Sequence, residues 1–429
     1  MIGFRSLPSY TSNHEKLLDR QEITKEDPGP VLRDLETMLS VIGDEGVPVS
    51  ESQHAISRTA LPSLNAQLSH PIETEYKRLQ QSAFPPIAGL NLLLRAAGMA
   101  QPREVGGSFR LVLNEAVVAS WRDLNPTEQY FALLEAWLNR ANEDQIFDQR
   151  GKAFDGNLRP ALTLITETQP TPLGAKLDDS DRRELKRRPG ELHLALMWLF
   201  GLVDLDEAGT MAGEPWQVQR ITVEPYGKAL LLRIANAVQE KAAADDDSAW
   251  DFDRESFLLS ARDLRRVLQP YFPAYDRTLP EPHAEFRPDT HVFDVELERR
   301  RGEPVGWRMA FPGASTLHEV SETILDAVGF DRAHLYRFRY QDVYGWEQAV
   351  NTPDSYQEPP YADEVQVGDL PLAPGETLSY LYDFGESWEF ALRLDEIGDK
   401  RQEVEEPTVL EAYGDPPDQY HHPVPEEWK

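Results

Sequence analysis

The stretch that decides the fold of the C-terminal part of this chain is Tyr380-Leu381-Tyr382-Asp383-Phe384-Gly385-Glu386-Ser387-Trp388-Glu389. Aromatic side chains at positions 380, 382 and 384 alternate, which predicts a β-strand with one face against a core. Gly385 indicates a bulge or a turn that needs a positive φ. The same alternation places Asp383 on the solvent face, and residues 388–394 are predicted to return as the neighbouring strand.

The residues before this stretch supply the rest of one domain, which we predict over residues 286–429. Residues 292–297 and 307–311 alternate as a pair of strands, and Thr316 is expected to cap a helix that Gly329 ends. Further strands are predicted at residues 335–340 and around Tyr344-Gly345-Trp346. This order predicts an α+β domain in which one main helix packs on a sheet.

Helical patterns dominate the N-terminal half. Helices are predicted over residues 31–42, 61–68, 87–97 and 126–138, with a hairpin turn at Gly106-Gly107. Helices followed by a hairpin are typical of winged-helix domains, so we predict one winged-helix-like domain over residues 31–140 and a second module over residues 191–241. The remaining segments are a flexible arm over residues 1–30, a polar linker or insertion over 141–190 and a linker over 242–285.

Composition limits the classes of function. The formal net charge is −31, and residues 281–429 hold 33 acidic against 12 basic side chains. Such acidity opposes nonspecific duplex binding, which needs basic residues against phosphates. The chain has no cysteine, no apolar run long enough for a membrane span and no apolar stretch typical of a secretory signal. The cytoplasm is therefore the predicted location, and no membrane association is expected.

Several groups of residues resemble one known family, in order along the chain. They are Leu317-His318-Glu319-Val320 with Ile324, Phe330 with residues 334–338, the octapeptide at 382–389, and residues 414–420. The C-terminal third thereby resembles the plasmid pRiA ORF-three-like family, whose members also include the passenger "TnpR" proteins of insertion sequences. The likeness extends less closely upstream to about residue 80. Phe390 departs from the family pattern, where a histidine is expected, and this weakens a metal site there.

The resemblance and the acidic, aromatic composition together favour a non-enzymatic interaction or regulatory protein. The expected partner is a protein or peptide, especially a basic one, because exposed aromatic groups among carboxylates suit such a partner. The oligomeric state is left open, and no catalytic residue and no cofactor is assigned. The predicted partner-binding residues are Tyr336, Tyr344, Trp346, Tyr356, Tyr361, Asp383, Glu386 and Trp388.

Two alternatives remain open at the level of sequence. A nucleic-acid-associated regulator would use a winged helix, with candidate contacts at Arg58, Lys77, Arg78, Arg95 and Arg103. A metal-dependent hydrolase would use a carboxylate–imidazole cluster of His318, His334, Asp383, Glu386 and Glu389. For these acids, solvation of the outer face of the sheet is the simpler interpretation. The "TnpR" label suggests a resolvase, but the sequence offers no basis for a serine-recombinase site.

Overall fold

The structure is a computed structural model, and it describes residues 9–51, 54–73, 80–141, 177, 181, 190–207, 216, 218–244, 259–280, 284–298, 304–353, 359–398 and 404–420. The chain divides into two compact units, Met1–Glu281 and Pro282–Lys429. Within the described ranges, every helix is too short or too polar to cross a bilayer.

The first unit is mainly helical. Its helices are α1 (Ser12–Arg20), α2 (Val31–Ile42), α3 (Leu61–Asn65), α4 (Pro85–Ala96), α5 (Glu115–Arg122), α6 (Pro126–Asn139), α7 (Glu191–Leu199), α8 (Pro225–Ala244) and α9 (Ala261–Leu268). Its strands are β1 (Val47–Pro48), β2 (Ala100–Val105), β3 (Ser108–Leu113), β4 (Val203–Glu207) and β5 (Val218–Val223). The first three strands pair in the order β1-β3-β2, and β4 pairs with β5.

Helix α4 lies at the centre of the first unit. All twelve of its residues are buried, including Arg95. At Gly89 a Cβ atom would lie 3.1 Å from the Leu196 side chain of α7, so glycine permits the close approach of these helices. The expectation that Arg95 contacts nucleic acid is wrong, because a fully buried guanidinium is not available to a phosphate.

Two segments predicted without regular structure contain helices. Helix α1 lies within residues 1–30, and its Leu18 is fully buried. Within residues 242–285, helix α9 is followed by the buried side chains of Phe272, Tyr275 and Leu279. The aromatic ring of Phe131 in α6 lies 4.8 Å from the rings of both Phe272 and Tyr275. Hydrophobic burial explains why residues 259–280 pack against the helices of the first unit.

The second unit is built on a sheet. Its strands are β6 (His291–Leu297), β7 (Gly306–Phe311), β8 (Tyr336–Gln341), β9 (Glu347–Asn351), β10 (Thr377–Tyr382), β11 (Trp388–Ile397) and β12 (Thr408–Tyr413). Of the described residues, these form one antiparallel sheet in the order β12-β7-β6-β11-β10-β8-β9. The mixed α+β class predicted from the sequence is confirmed. Tyr344 and Trp346 lie in the turn before β9 rather than in a strand.

Helix α10 (Leu317–Val328) supplies the other layer of this unit. Thr316 and Glu319 form a capping box at its start, and Gly329 ends it in the left-handed conformation at φ 80°. Its apolar residues, among them Leu317, Ile324 and Val328, join one core with the inward side chains of the sheet. The caps and the apolar spacing predicted from the sequence are confirmed here, and they fix where the following loop, 329–335, begins.

Candidate functional site

The candidate site lies at the end of the sheet where β8 begins and β10 ends. The loop after α10 brings Asp331 and His334, and the turn after β10 brings Asp383. Residues 414–420, which follow β12, bring Gln419 and Tyr420 to the same place. We call these five residues, together with Tyr382, the sheet-end cluster.

Tyr420 is the most connected member of the sheet-end cluster. Its hydroxyl donates to Asp331 Oδ2 at 2.7 Å and lies 2.7 Å from His334 Nε2 and 3.0 Å from Gln419 Nε2. Because the phenol hydrogen is directed to Asp331, the imidazole and amide N–H groups are the donors to its oxygen. The hydrogen bond to Asp331 raises the pKa of Tyr420 to about 12.

The Asp331 carboxylate accepts hydrogen bonds from several groups. Besides Tyr420, the backbone N–H of Ala333 donates to Oδ1 at 3.0 Å, and the buried Tyr382 hydroxyl lies 3.0 Å from the same oxygen. Gln419 donates to Oδ1 at 3.1 Å and accepts from the Asp331 backbone N–H at 2.8 Å. These donors, with Tyr420 first, hold the pKa of Asp331 well below its usual range because they stabilise the carboxylate.

Asp383 closes the turn between β10 and β11. It adopts φ 53°, its Oδ1 accepts from the backbone N–H of Gly385 at 3.0 Å, and its carbonyl accepts from Ser387 N. Its Oδ2 lies 3.5 Å from His334 Nδ1. The expectation that Asp383 lies on the solvent face is wrong, since it is 7% exposed. The positive φ values fall at Asp383 and Ser387, not at Gly385. At Asp383 the left-handed conformation is tolerated because its carboxylate bonds to the turn's own amides.

The metal site predicted from the sequence is not assembled. His334 and Asp383 meet, but His318 Nδ1 lies 2.7 Å from the Tyr336 hydroxyl under α10, and Glu389 is exposed on β11 opposite Leu381. Glu386 is exposed, and its backbone N–H points to Asp383 Oδ1 at 3.4 Å. Throughout the described residues, no group of three or more His, Asp or Glu is arranged to hold a metal ion.

The predicted partner-binding residues separate into buried and exposed groups. Tyr336 and Trp346 are 5% and 2% exposed, so the expectation that they line an accessible surface is wrong. Their rings are apolar enough for the core, and position in the chain alone does not separate core from surface aromatics. Tyr344, Tyr361 and Trp388 are half-buried, and Glu386 is exposed. Tyr356 lies outside the described residues, as do Lys77 and Arg78 of the nucleic-acid set.

Exposed apolar side chains that sequence reasoning did not single out surround the sheet-end cluster. Leu335, Phe384 and Tyr420 are 47%, 39% and 44% exposed. The Leu335 carbonyl accepts from Asp383 N at 3.0 Å, so Leu335 borders the residue that precedes Phe384. The Arg337 guanidinium lies 5.5 Å from the Phe384 ring. We call Leu335, Phe384 and Tyr420 the apolar patch. The prediction that Phe384 faces the core is wrong, because β10 and its alternation of faces end at Tyr382.

Comparison with known proteins assigns the domain that carries this geometry. Residues 289–420 match the family model described as plasmid pRiA4b ORF-3-like protein. We call residues 289–420 the ORF-3-like domain, after the family model that they match. The match begins just before β6 and ends at Tyr420, so both the sheet and the sheet-end cluster belong to the ORF-3-like domain. The family resemblance predicted from the ordered motifs is confirmed for these residues.

The names of two similar proteins do not state an activity. The "Uncharacterized protein y4hQ" of Sinorhizobium fredii (strain NBRC 101917 / NGR234) is 29% identical over 114 residues, which are 25% of this chain and 54% of that protein. The chain thus spans about half the length of this curated relative. The crystal structure of a protein of unknown function, MM3350 from Methanosarcina mazei Go1, aligns with a TM-score of 0.26 and 17% identity over 29% of this chain and 68% of that one.

Proposed function

We propose that the ORF-3-like domain is a non-enzymatic interaction module that binds a protein or peptide partner through the apolar patch. The observation that carries the proposal is the exposure of Leu335, Phe384 and Tyr420 around one cluster of hydrogen-bonded side chains. Large apolar side chains that are grouped at a surface are typical of interaction sites, whereas isolated ones are ordinary. The sheet-end cluster holds the loop and the C-terminal segment that present them.

The charges beside the apolar patch favour a basic partner. The carboxylates of Asp331, Asp383 and Glu386 border the patch, and Asp418 is exposed two residues before Tyr420. Arg332 is paired with Glu322 and Asp326. The Arg337 guanidinium already lies 5.5 Å from the Phe384 ring, so an arginine or lysine of the partner would meet the carboxylates and the face of Tyr420, where a cation–π contact can form. Binding would therefore weaken as salt rises.

Proton-transfer chemistry is less well supported by the sheet-end cluster. Its acids, imidazole and phenol are hydrogen-bonded to one another, as in Tyr420 with Asp331 and His334. A general base needs a lone pair within reach of a substrate proton. The hydroxyl of Tyr420 already donates one bond and accepts two, so the cluster is better suited to holding residues 414–420 in place.

The proposal is tested by cross-linking the full chain to its partners in lysate of the producing cell and quantifying the products by mass spectrometry. The double variant Leu335→Ser and Phe384→Ser removes the patch. Val105→Ser is the matched control, because Val105 has the same exposure of 47% but lies on the β2–β3 hairpin. We expect a partner that is enriched equally by wild type and control and lost with the double variant; equal recovery by all three chains would refute the proposal.

A nucleic-acid-associated regulator remains the second candidate because one observation favours it. The order α2-β1-α3-α4-β2-β3 with the sheet order β1-β3-β2 is the order of winged-helix domains. Arg58 and Arg103 are exposed, and Arg103 lies in the β2–β3 hairpin. The complete burial of α4 opposes insertion of that helix into a groove. A gel-shift titration with duplex DNA at low salt tests this candidate, and absence of binding there would end it.

A further inference from the structure

Strand β12 is an outer strand of the ORF-3-like sheet. It pairs with β7 through residues 408–413, and in the described part of the chain no further strand lies on its other side. The opposite outer strand, β9, is different: Asn351 at its end bridges Tyr361 in parallel, and Val350 and Asn351 are buried. The two edges of the sheet are thus protected to different degrees.

The exposure of β12 leaves its outer backbone groups accessible. Five of its six residues are exposed and the sixth, Leu410, is half-buried. An outer strand presents a row of N–H and C=O groups that can pair with another strand. Lysine and proline, which commonly block such pairing, do not occur in Thr408–Tyr413. The register shifts between Val409 and Glu411, and Glu411 to Tyr413 then run in regular pairing with β7.

The charge around β12 selects the kind of strand that would fit. Residues 404–420 include five acids and no Lys, Arg or His, and Glu405, Glu406 and Glu411 are all exposed. Val409 and Tyr413 add exposed apolar area at 41% and 47%. A second copy of β12 would bring these acids against one another, which is unfavourable for directly opposed like charges. An extended segment that carries both apolar and basic residues would meet both features.

We propose that β12 is a strand-addition edge that pairs with an extended basic segment of a partner protein. Backbone hydrogen bonds to the outer side of β12 would supply the pairing, and Val409, Glu411 and Tyr413 would select the sequence. This contact goes beyond the apolar patch, which comprises other residues at the ends of β8 and β10. Either proposal can therefore be refuted without affecting the other.

The test measures amide hydrogen exchange of the full chain with and without a short synthetic peptide of alternating valine and lysine. At a peptide concentration about ten times its dissociation constant, we expect amides of residues 408–413 to exchange about tenfold more slowly. A valine–glutamate peptide of the same length is the control for charge. The Leu335→Ser and Phe384→Ser variant should give the same protection at β12, which separates this result from that of the apolar patch.

Two variants of one exposed side chain sharpen the test. Val409→Lys places a cation on the edge and should abolish the protection, whereas Val409→Thr keeps a β-branched side chain and should retain it. Absence of protection at residues 408–413 in wild type, or equal protection by the acidic peptide, would overturn the proposal. Sedimentation that shows a dimer with β12 already protected before peptide is added would overturn it in favour of a second copy.

Discussion

The imidazole Nε2 of His334 lies 2.7 Å from the phenolic oxygen of Tyr420, which is 86 residues later in the chain. This hydrogen bond joins the loop before β8 to the segment that follows β12, and the Tyr420 hydroxyl donates to Asp331. The contact therefore ties residues 414–420 to the loop that follows α10. It positions Tyr420 beside Leu335 and Phe384 in the apolar patch.

Replacing Tyr420 with Phe should loosen the C-terminal segment. The variant keeps the ring but removes the donor to Asp331 and the acceptor for His334 and Gln419. We expect faster amide exchange in residues 414–420, with strands β10 and β11 unchanged. Tyr413→Phe is the matched control, since Tyr413 is similarly exposed. Unchanged exchange in the Tyr420 variant would contradict a clamping role for this hydroxyl.

Acid should release the same segment through Asp331. Its pKa is held low, first by the hydrogen bond from Tyr420, so its contribution to stability is present above the ordinary carboxyl pKa of about 4. That contribution is lost as the pH falls through the depressed value. We expect exchange of residues 414–420, corrected for intrinsic rates, to rise on acidification below about pH 4. In the Asp331→Asn variant, the amides of residues 414–420 should exchange faster already at neutral pH and respond less to acid. A pH dependence of exchange equal to that of wild type would refute the assignment to Asp331.

The first unit should lose stability on mild acidification through His54. Burial, with a smaller contribution from Arg95, lowers the pKa of His54 to about 4. Protons therefore bind His54 more readily in the unfolded chain than in the folded chain. The folded state keeps its full stability above about pH 6.5 and loses stability as the pH falls toward 4. We expect a decrease on the order of 1 kcal/mol in the free energy of unfolding, allowing for partial exposure of the ring.

His54→Asn tests this dependence, because asparagine tolerates the φ of 50° at this position. The variant should show a flatter pH dependence of urea unfolding between pH 6.5 and 4. His70→Asn removes an exposed histidine and should leave the wild-type dependence intact. Equal slopes for wild type and His54→Asn would show that another group is responsible.

Glu128 should be required for the packing of residues 271–280. It is 2% exposed, and its carboxylate accepts from the backbone N–H groups of Asn125 and Arg277, each at 2.9 Å. Glu128→Ala leaves both donors without this acceptor, and we expect a loss of about 2–4 kcal/mol in unfolding free energy. Glu115→Ala, at an exposed first-turn acid of α5, is the control. A loss below that of the control would contradict the inference.

Local patterns predicted elements well wherever a segment buries one face. The helix with Thr316 and Gly329 at its ends is confirmed, since capping depends on residues within one turn. The strand predicted at 307–311 is found at Gly306–Phe311. The alternation through Phe384 failed because the strand ends at Tyr382 and Asp383 turns the chain. An Asp that closes a turn through its own carboxylate is a signal that the sequence does carry, in the run Asp383-Phe384-Gly385.

The candidate site was only partly predictable. His334 and Asp383 were selected from their residue types, and the structure brings them together. Asp331, Tyr382 and Tyr420 stood within or beside the motifs but were not recognised as one cluster. Arg95 was selected as a candidate nucleic-acid contact, yet it is fully buried. A charged side chain generally prefers contact with water, whereas packing decides which charged side chains actually face solvent.

The sequence by itself determined the α+β class of the C-terminal part, the caps of its helix and its resemblance to one family, because these depend on short-range spacing and on motifs within single segments. Tertiary structure decided that Asp331, His334 and Tyr420 meet, that Trp346 is buried and that β12 lies at an edge of the sheet. The physical reason is that strand order and burial arise from contacts between segments far apart in the chain, which periodicity within one segment does not encode.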